Sequence, residues 1–427
     1  MQALERVELL KRKRDFFALF ALFFTLLSLS LGYEYYNYHQ LTKFDSQIVH
    51  AKVLKQYTKT KTTKKGKIKS YQVLKLKSDD GFTFYTIASK KVPNYKGKNV
   101  ELEVWAGKIT FWQYLKGFFA FSKIANISKK EGLESKIIAF INAQHKSKKI
   151  QQLYDALFLA KPLPYALQKI FSNLGISHLV AISGFHLGVL SALLFFLIKY
   201  PYKYLQSNYF PYRSATRDTF FIIALILFAY MIFIATPPSL LRAFVMLVVG
   251  FYLYDRGIKI ISMQTLLLSV LLIIALFPRL IFSIGLFLSL SGTFYILLFL
   301  IHFQDKSKLW QFLLLPFWVY VMMLPYSLAI FGNFSLYHPL SILLTSLFML
   351  FYPLSIFLHV VGFGGLFDAP LLTLMDFNPH AATVALPMGF LYIEILLSFL
   401  AIFKKQALLL LIFYTLSIFI YAIYYIA

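Results

Sequence analysis

The sequence predicts a polytopic α-helical membrane protein with an extracytoplasmic small β-barrel insert, and three observations carry that prediction. Of 427 residues, 59% are hydrophobic and only 14% charged, where soluble domains are about half apolar and a quarter charged. From residue 175 almost to the end, apolar runs follow one another at the roughly 20 residues needed to cross ~30 Å of hydrocarbon. Between residues 40 and 175 no run is that long, and short period-two patterns take over. The 43 Lys+Arg against 18 Asp+Glu leave a net charge of +25, which favours an anionic partner such as nucleic acid or lipid headgroups. With no cysteine, disulfides, Fe–S clusters, thiolate zinc sites and a cysteine nucleophile are excluded.

Lys11, Arg12, Lys13 and Arg14 precede an apolar run from Phe16 to Gly32, and Tyr33 to Tyr38 follow as an aromatic belt. No small-residue cleavage pattern of the A-x-A kind accompanies it, so the run reads as a signal anchor with its N-terminus in the cytoplasm. Residues 1–40 are thus a cytoplasmic basic tail and N-terminal transmembrane anchor, and the chain continues outside.

Residues 41–128 read as an extracytoplasmic basic domain of short strands. Val49, Ala51 and Val53 alternate, as do Tyr71 and Val73, Phe82 and Phe84, and Val100, Leu102 and Val104 around Glu101 and Glu103. Turn chemistry lies at Lys65-Gly66, Asp79-Asp80-Gly81 and Pro93 to Gly97. Five short strands in so small a module fit a barrel of the OB type, many of which bind oligonucleotides. Residues 43–116 hold 17 lysines against five acids, and Lys59, Lys61, Lys64, Lys65, Lys67 and Lys69 share one hairpin tip. Lysines that neutralise phosphate and aromatics that stack bases, at ~1–3 kcal/mol per base, hold single strands. Tyr71, Phe84 and Trp105, with Tyr57, Phe82 and Tyr85, are candidates for stacking, or else for barrel core. Residues 129–175 read as amphipathic interfacial helices, broken by Pro162 and Pro164.

Residues 176–427 are expected to form the membrane bundle, with nine spans near 178–198, 218–236, 238–254, 260–277, 280–301, 310–331, 338–361, 386–403 and 407–426. Basic residues after the first, third and fifth obey the positive-inside rule. Placing Lys404 and Lys405 inside requires Gly362 to Asp376 to return as a short or re-entrant piece.

Ionisable groups within the bilayer are costly, ~2.5–3.5 kcal/mol for a central Arg, and so face protein or water or mark a path. Three clusters qualify. Gly175-Ile176-Ser177-His178 runs on through Ala181-Ile182-Ser183-Gly184-Phe185-His186-Leu187-Gly188. Here Ser183 and His186 stand three apart, as on one helix face, and Gly184 and Gly188 four apart, as for close helix approach. In Pro237-Pro238-Ser239-Leu240-Leu241-Arg242-Ala243 the prolines break the chain and Arg242 follows one turn into an apolar helix. Gly285 to Gly292 is a small, hydroxyl-bearing seam that includes Ser289.

These clusters resemble the competence domain of the ComEC family, inner-membrane proteins through which transformable bacteria import DNA. The family pattern is similar to G-x-S-H-L-L-A-I-S-G-x-H, S-x-x-R-A-x-x-M and G-F-x-L-S. It is matched by Gly175, Ser177, His178, Ala181, Ile182, Ser183, Gly184 and His186, then Ser239, Arg242, Ala243 and Met246, then Gly285, Leu288 and Ser289. The resemblance implies a multi-pass channel in the bacterial inner membrane that imports single-stranded DNA without sequence specificity. The insert would capture DNA, and Ser183, His186, Arg242, Ser289, His178 and Ser239 would line the translocation path. Implied partners are membrane lipids, an extracytoplasmic DNA receptor and a cytoplasmic motor or single-strand-binding protein, since no P-loop is present. Many members end in a metallo-β-lactamase-like domain; no H-x-H-x-D-H run occurs here, and no nuclease activity is expected. The Asn often found in a later helix is replaced near Thr345.

No catalytic residue, cofactor or metal is expected. Two other readings stay open. Ser183 with a nearby histidine resembles an intramembrane serine hydrolase, although His186 shares its helix. A lipid-binding scaffold would use Arg242 only on carbonyls or headgroups.

Overall fold

The computed structural model describes residues 12–62, 68–88, 93, 95, 97–127, 133–234, 236–258, 261–377 and 379–426. The chain divides into two compact units, one of Arg14–Ile137 with Leu271–Phe282, the other built mainly of Ile138–Val270 and residues from Ser283 onward.

The first unit opens with helix α1, Lys13–Thr42, whose 30 residues span about 45 Å at 1.5 Å per residue, enough to cross a bilayer. Strands β1 (Gln47–Thr62), β2 (Ile68–Ser78), β3 (Thr83–Ala88) and β4 (Asn99–Trp105) follow, then helix α2 (Phe111–Lys116) and strands β5 (Phe118–Phe119) and β6 (Phe121–Ile127). They form one six-stranded sheet in the order β5-β3-β2-β1-β4-β6. Strand β3 pairs in parallel with β5, and β4 pairs antiparallel with β6, so consecutive strands reach opposite ends of the meander. In β4 the alternation is realised as expected: Val100, Leu102 and Val104 are buried and Glu101 and Glu103 turn outward, as period two requires of a half-buried strand. These valines and leucines pack with Val49, Val53, Leu74, Leu76, Phe82, Phe84, Tyr114 and Phe118. Thr110 caps α2, its hydroxyl accepting from the Gln113 N–H while the Gln113 side chain accepts from the Thr110 N–H. Within the same unit Arg279, in the 3-10 turn Pro278–Phe282, ion-pairs with Glu34 of α1 and donates to Tyr114 Oη at 2.6 Å and to the Asp80 carbonyl at 3.2 Å. One side chain thereby joins α1, α2 and the β2–β3 turn.

The remaining helices, in chain order, are α3 (Leu133–Asn142), α4 (Lys148–Leu159), α5 (Tyr165–Asn173), α6 (Ser177–Val180), α7 (Gly184–Tyr209), α8 (Ala215–Phe233), α9 (Pro238–Asp255), α10 (Met263–Leu276), α11 (Ile284–His302), α12 (Lys308–Phe331), α13 (Leu340–Val360), α14 (Asp368–Asp376), α15 (Met388–Ala401) and α16 (Lys405–Ile426). Two-residue strands β7 (Asn333–Phe334) and β8 (Ala382–Thr383) pair antiparallel. Among the described residues seven helices are long and apolar enough to cross a membrane, namely α1, α7, α8, α11, α12, α13 and α16, while α10 and α15 are shorter apolar helices. The protein is therefore a mostly helical, multi-pass membrane protein carrying a small β-sheet. Gly362 to Asp376 forms the 3-10 turn Gly364–Phe367 and the nine-residue α14, about 14 Å of helix and too short to span. The bundle packs around Tyr295, Trp318, Met322, Tyr326, Leu391 and Leu411.

Candidate functional site

The first motif folds as a broken helix start. Gly175 has φ +72°, and a Cβ there would lie 3.2 Å from the His338 ring, so a side chain would be strained by the backbone and crowded by the ring. The single turn α6 ends in extended backbone at Ala181, and Ser183, also extended, is the N-cap of α7. Ser183 and His186 therefore do not share a helix face, as their spacing suggested; His186 reaches back to the cap. Its Nδ1 accepts from the Ser183 N–H at 3.2 Å and lies 3.0 Å from Ser183 Oγ. Accepting at Nδ1 leaves the ring proton on Nε2, which is buried without a partner. The ring stands edge-on to Phe348 and Tyr352 of α13.

Helix α9 begins at the prolines because Pro at N1 forgoes an N–H that has no helical partner anyway. Just before it Thr236 sits at φ +51°, a left-handed conformation that costs a β-branched residue strain. Ser239 Oγ donates to the Ile182 carbonyl at 2.9 Å, which ties α9 to the break before α7. One turn on, Arg242 is buried, at 8% exposure. Its Nη1 donates to Thr293 Oγ1 of α11 and contacts Met246 Sδ, both at 3.0 Å, and its Nε has no partner. Thr293 Oγ1 in turn donates to the Ser289 carbonyl at 3.0 Å. The guanidinium also lies against α7, for a Cβ on Gly184 would be 2.6 Å from Arg242 Nη2 and 3.0 Å from the Ala243 Cβ. Among the described residues no carboxylate pairs with Arg242. The seam of α7, α9 and α11 thus holds a buried cation neutralised by nothing more than a hydroxyl and a thioether, and such a group has strong affinity for an anion.

Ser239 and Arg242 are tied by these contacts to the break before α7, at Ile182 and Gly184, and to α11 at Thr293, while Ser289 enters only through its backbone carbonyl; Ser183 and His186 adjoin through the cap, and His186 faces α13. His178 stands apart at the surface, its Nε2 3.3 Å from Thr345 Oγ1 of α13, so the threonine in place of the family's Asn supplies a polar contact of its own. Gly188 has nothing within 4 Å, and the close helix approach expected of both glycines occurs at Gly184 alone.

In the sheet unit Phe84 is corrected outright as a stacking candidate. It is fully buried, packed on Phe118 and Phe82, because it shares the inward face of β3 with Thr86. Tyr71 is half-buried, opposite Lys59 in the β1–β2 register. Lys59 is exposed with its Nζ 5.9 Å from the Tyr57 ring. Trp105 is 42% exposed at the end of β4, opposite Phe121, which is 66% exposed. Lys64, Lys65 and Lys67, and the side chains of Lys61 and Lys69, lie outside the described residues.

Thr293 escaped the sequence reading because a lone threonine in an apolar helix carries no motif. Glu394 left a signal, a single acid in an apolar run. It is fully buried, its Oε1 accepting from Tyr295 Oη at 3.0 Å and its Oε2 unpartnered. Among the described residues no group of three or more His, Cys, Asp or Glu is placed to hold a metal ion.

Fold and seam together define a multi-pass helical membrane protein with an uncompensated cation at a broken-helix crossing. Residues 160–427 match the family model described as Competence protein. The chain therefore belongs to the competence protein family, the ComEC family whose motifs its sequence carries. Neither the curated proteins nor the solved structures contain a match.

Proposed function

We propose that this protein is the channel through which single-stranded DNA enters the cytoplasm across the bacterial inner membrane during natural transformation. Membership of the competence family places it in DNA uptake. The observation that carries the finer reading is Arg242, a buried guanidinium without an acid, held among Gly184, Thr293 and Met246. Phosphodiester oxygens fit that fork geometry, and each passing phosphate replaces the missing counter-charge. Ser239, Ser183 and Ser289 shape the crossing around it. The N-terminus lies in the cytoplasm and the sheet unit outside.

The sheet unit acts as an OB-like capture module. The parallel β3–β5 pairing followed at once by the antiparallel β4–β6 pairing supports this reading, since one segment bridges both edges of the meander. Lys59 and its neighbouring lysines contact phosphate, and Trp105 offers a ring to bases. Single strands would be handed over by an extracytoplasmic receptor and drawn in by a cytoplasmic motor or single-strand-binding protein. Catalysis is not part of this function. His186 Nδ1 accepts from the Ser183 N–H and lies 3.0 Å from Ser183 Oγ, but among the described residues its Nε2 meets no carboxylate that could orient it as a base.

The test is deletion of the gene in a transformable host and complementation with wild type or Arg242→Ala, following fluorescent double-stranded DNA and counting transformants. DNA held outside the inner membrane without transformants, in both the deletion and Arg242→Ala at normal protein levels, is the expected result. Normal transformation without the gene overturns the proposal.

A further inference from the structure

The loop before α4, the end of α13 and the start of α14 meet in a chain of hydrogen bonds that the transport reading does not use. Asp368 Oδ1 lies 2.8 Å from His145 Nδ1, and His145 Nε2 lies 2.9 Å from His359 Nε2. His359 Nδ1 lies 2.6 Å from the Ser355 carbonyl. Both imidazoles are buried, His145 stacked on Tyr154 with ring centroids 4.6 Å apart. The contact is close by construction. Gln144 Nε2 donates to the His359 carbonyl at 3.0 Å, and its Oε1 accepts from the Gly364 N–H at 2.8 Å. A Cβ on Gly364 would fall 2.6 Å from that Oε1 and 2.8 Å from the His359 ring, and one on Gly365 2.9 Å from the Gln144 carbonyl.

Counting protons across the chain gives a definite answer. Each of the three contacts needs one hydrogen. A carbonyl cannot donate, so His359 Nδ1 carries a proton and, in the neutral ring, Nε2 accepts. His145 Nε2 must then donate. The contact between His145 Nδ1 and Asp368 needs a further proton, which two neutral imidazoles and a carboxylate do not possess. It resides on His145 as an imidazolium or on Asp368 as a carboxylic acid, and either way the trio is electrically neutral. The alternative, with His359 doubly protonated, holds the same number.

We infer that Asp368, His145 and His359 form a binding site for one proton, and that this proton latches the 143–147 loop onto the end of α13 and the start of α14. Without it one of the three hydrogen bonds must break and the carboxylate's charge stands uncompensated beside buried rings, which opens the latch. The titratable and charged groups around the trio do not replace the proton. From α4 come Tyr154 and Asp155, the latter a carboxyl that burial holds above its usual range and that adds negative rather than positive charge. Lys161 serves Asp155, Lys149 is paired with Asp376 of α14 at 3.1 Å, Lys146 lies in the loop itself, and α13 presents Tyr352. The consequence reaches the seam, since α13 also carries Phe348 and Tyr352 against His186.

The sign follows from linkage. The latched state holds one proton more than the open state once His145 is released to water, so the latch is secure in acid and is lost as pH rises. Between the ordinary range of a released histidine and the point where the latch gives up its proton, the opening equilibrium should grow by up to about tenfold per pH unit, the slope of a single proton, and level off beyond it. Asp368→Asn provides the discriminating variant. An amide N–H can donate to His145 Nδ1, His145 Nε2–H to His359, and His359 Nδ1–H to Ser355, completing all three bonds with neutral rings and no extra proton. The experiment is amide hydrogen exchange on the full chain in nanodiscs, scanned from about pH 6 to about pH 9 and corrected for intrinsic exchange, reading peptides over 143–147 and 362–368. Wild type is expected to lose protection there with the one-proton slope while the β4 peptide does not respond, and Asp368→Asn to keep its protection throughout. A flat wild-type profile overturns the inference. So does an Asp368→Asn profile that follows wild type or shows no protection at any pH.

Discussion

Replacing Gly184 by alanine puts the packing of the seam to a quantitative test. The added Cβ would stand 2.6 Å from Arg242 Nη2 and 3.0 Å from the Ala243 Cβ, so the guanidinium must retreat by about 1 Å to restore ordinary contact. Retreat strains the bond from Nη1 to Thr293 Oγ1, now 3.0 Å long; a hydrogen bond made by a charged group contributes ~1.5–3 kcal/mol. Gly184 is the first residue of α7, where alanine's mid-helix advantage over glycine does not apply in full, leaving a net cost of about 1–3 kcal/mol. If phosphate contact at Arg242 limits import, the same displacement lowers the rate by roughly 5- to 150-fold, at tenfold per ~1.4 kcal/mol. Gly188→Ala is the matched control, because a Cβ there meets nothing within 4 Å. The assay pairs transformant counts in a complemented deletion strain with heat unfolding of the detergent-purified protein. Equal behaviour of the two alanine variants in both readouts would refute the packing argument.

The sheet unit and helix α4 yield the other predictions. Phe84→Ala should destabilise the sheet by ~3–5 kcal/mol, as for other buried phenylalanines, and expose the β-strands to protease. Trp105→Ala should leave protease resistance intact yet weaken single-stranded DNA binding by the full-length protein by ~1–3 kcal/mol in fluorescence titrations. A swap of these two phenotypes would reverse the assignment of core and surface. Asp155 is raised above the usual carboxylate range chiefly by burial, so its protonated form favours the folded state. That contribution is present in acid and is lost as pH rises through the raised value. Asp155→Asn should therefore resist heat better than wild type near neutral pH and lose that margin in acid, as read by unfolding midpoints at the two pH values.

How much of this was legible in the sequence depends on how far apart the interacting residues lie. Alternation in Val100 to Val104 revealed a half-buried strand directly, and the prolines ahead of Arg242 revealed the helix start and the arginine's place one turn into that helix. Period two assigns residues to faces but does not say which face is the core, and so Phe84 stood as either a stacking ring or barrel core, whereas it packs inward beside Phe118. Spacing of three placed Ser183 and His186 on a common face, whereas the helix begins one residue later and turns the serine into a cap. Gly184 and Gly188 were equivalent by spacing, and the presence of Arg242 opposite one of them is a tertiary fact. Thr293 and the trio of His145, His359 and Asp368 meet partners as many as 223 positions away, beyond the reach of any local pattern. The competence motifs bridged part of that distance, because they mark residues from three separate helices as belonging together.

The central claim, that DNA passes the Arg242 seam, is tested most directly by site-specific photocrosslinking during uptake. A photoreactive residue at Ser289, one turn from Thr293 on α11, and another at Phe413, on the outer surface of α16 at 74% exposure, would be activated while labelled DNA enters competent cells. The account predicts a DNA adduct at Ser289, lost with Arg242→Ala, and none at Phe413. An adduct at Phe413 with none at Ser289, under conditions where both variants support transformation, would contradict it.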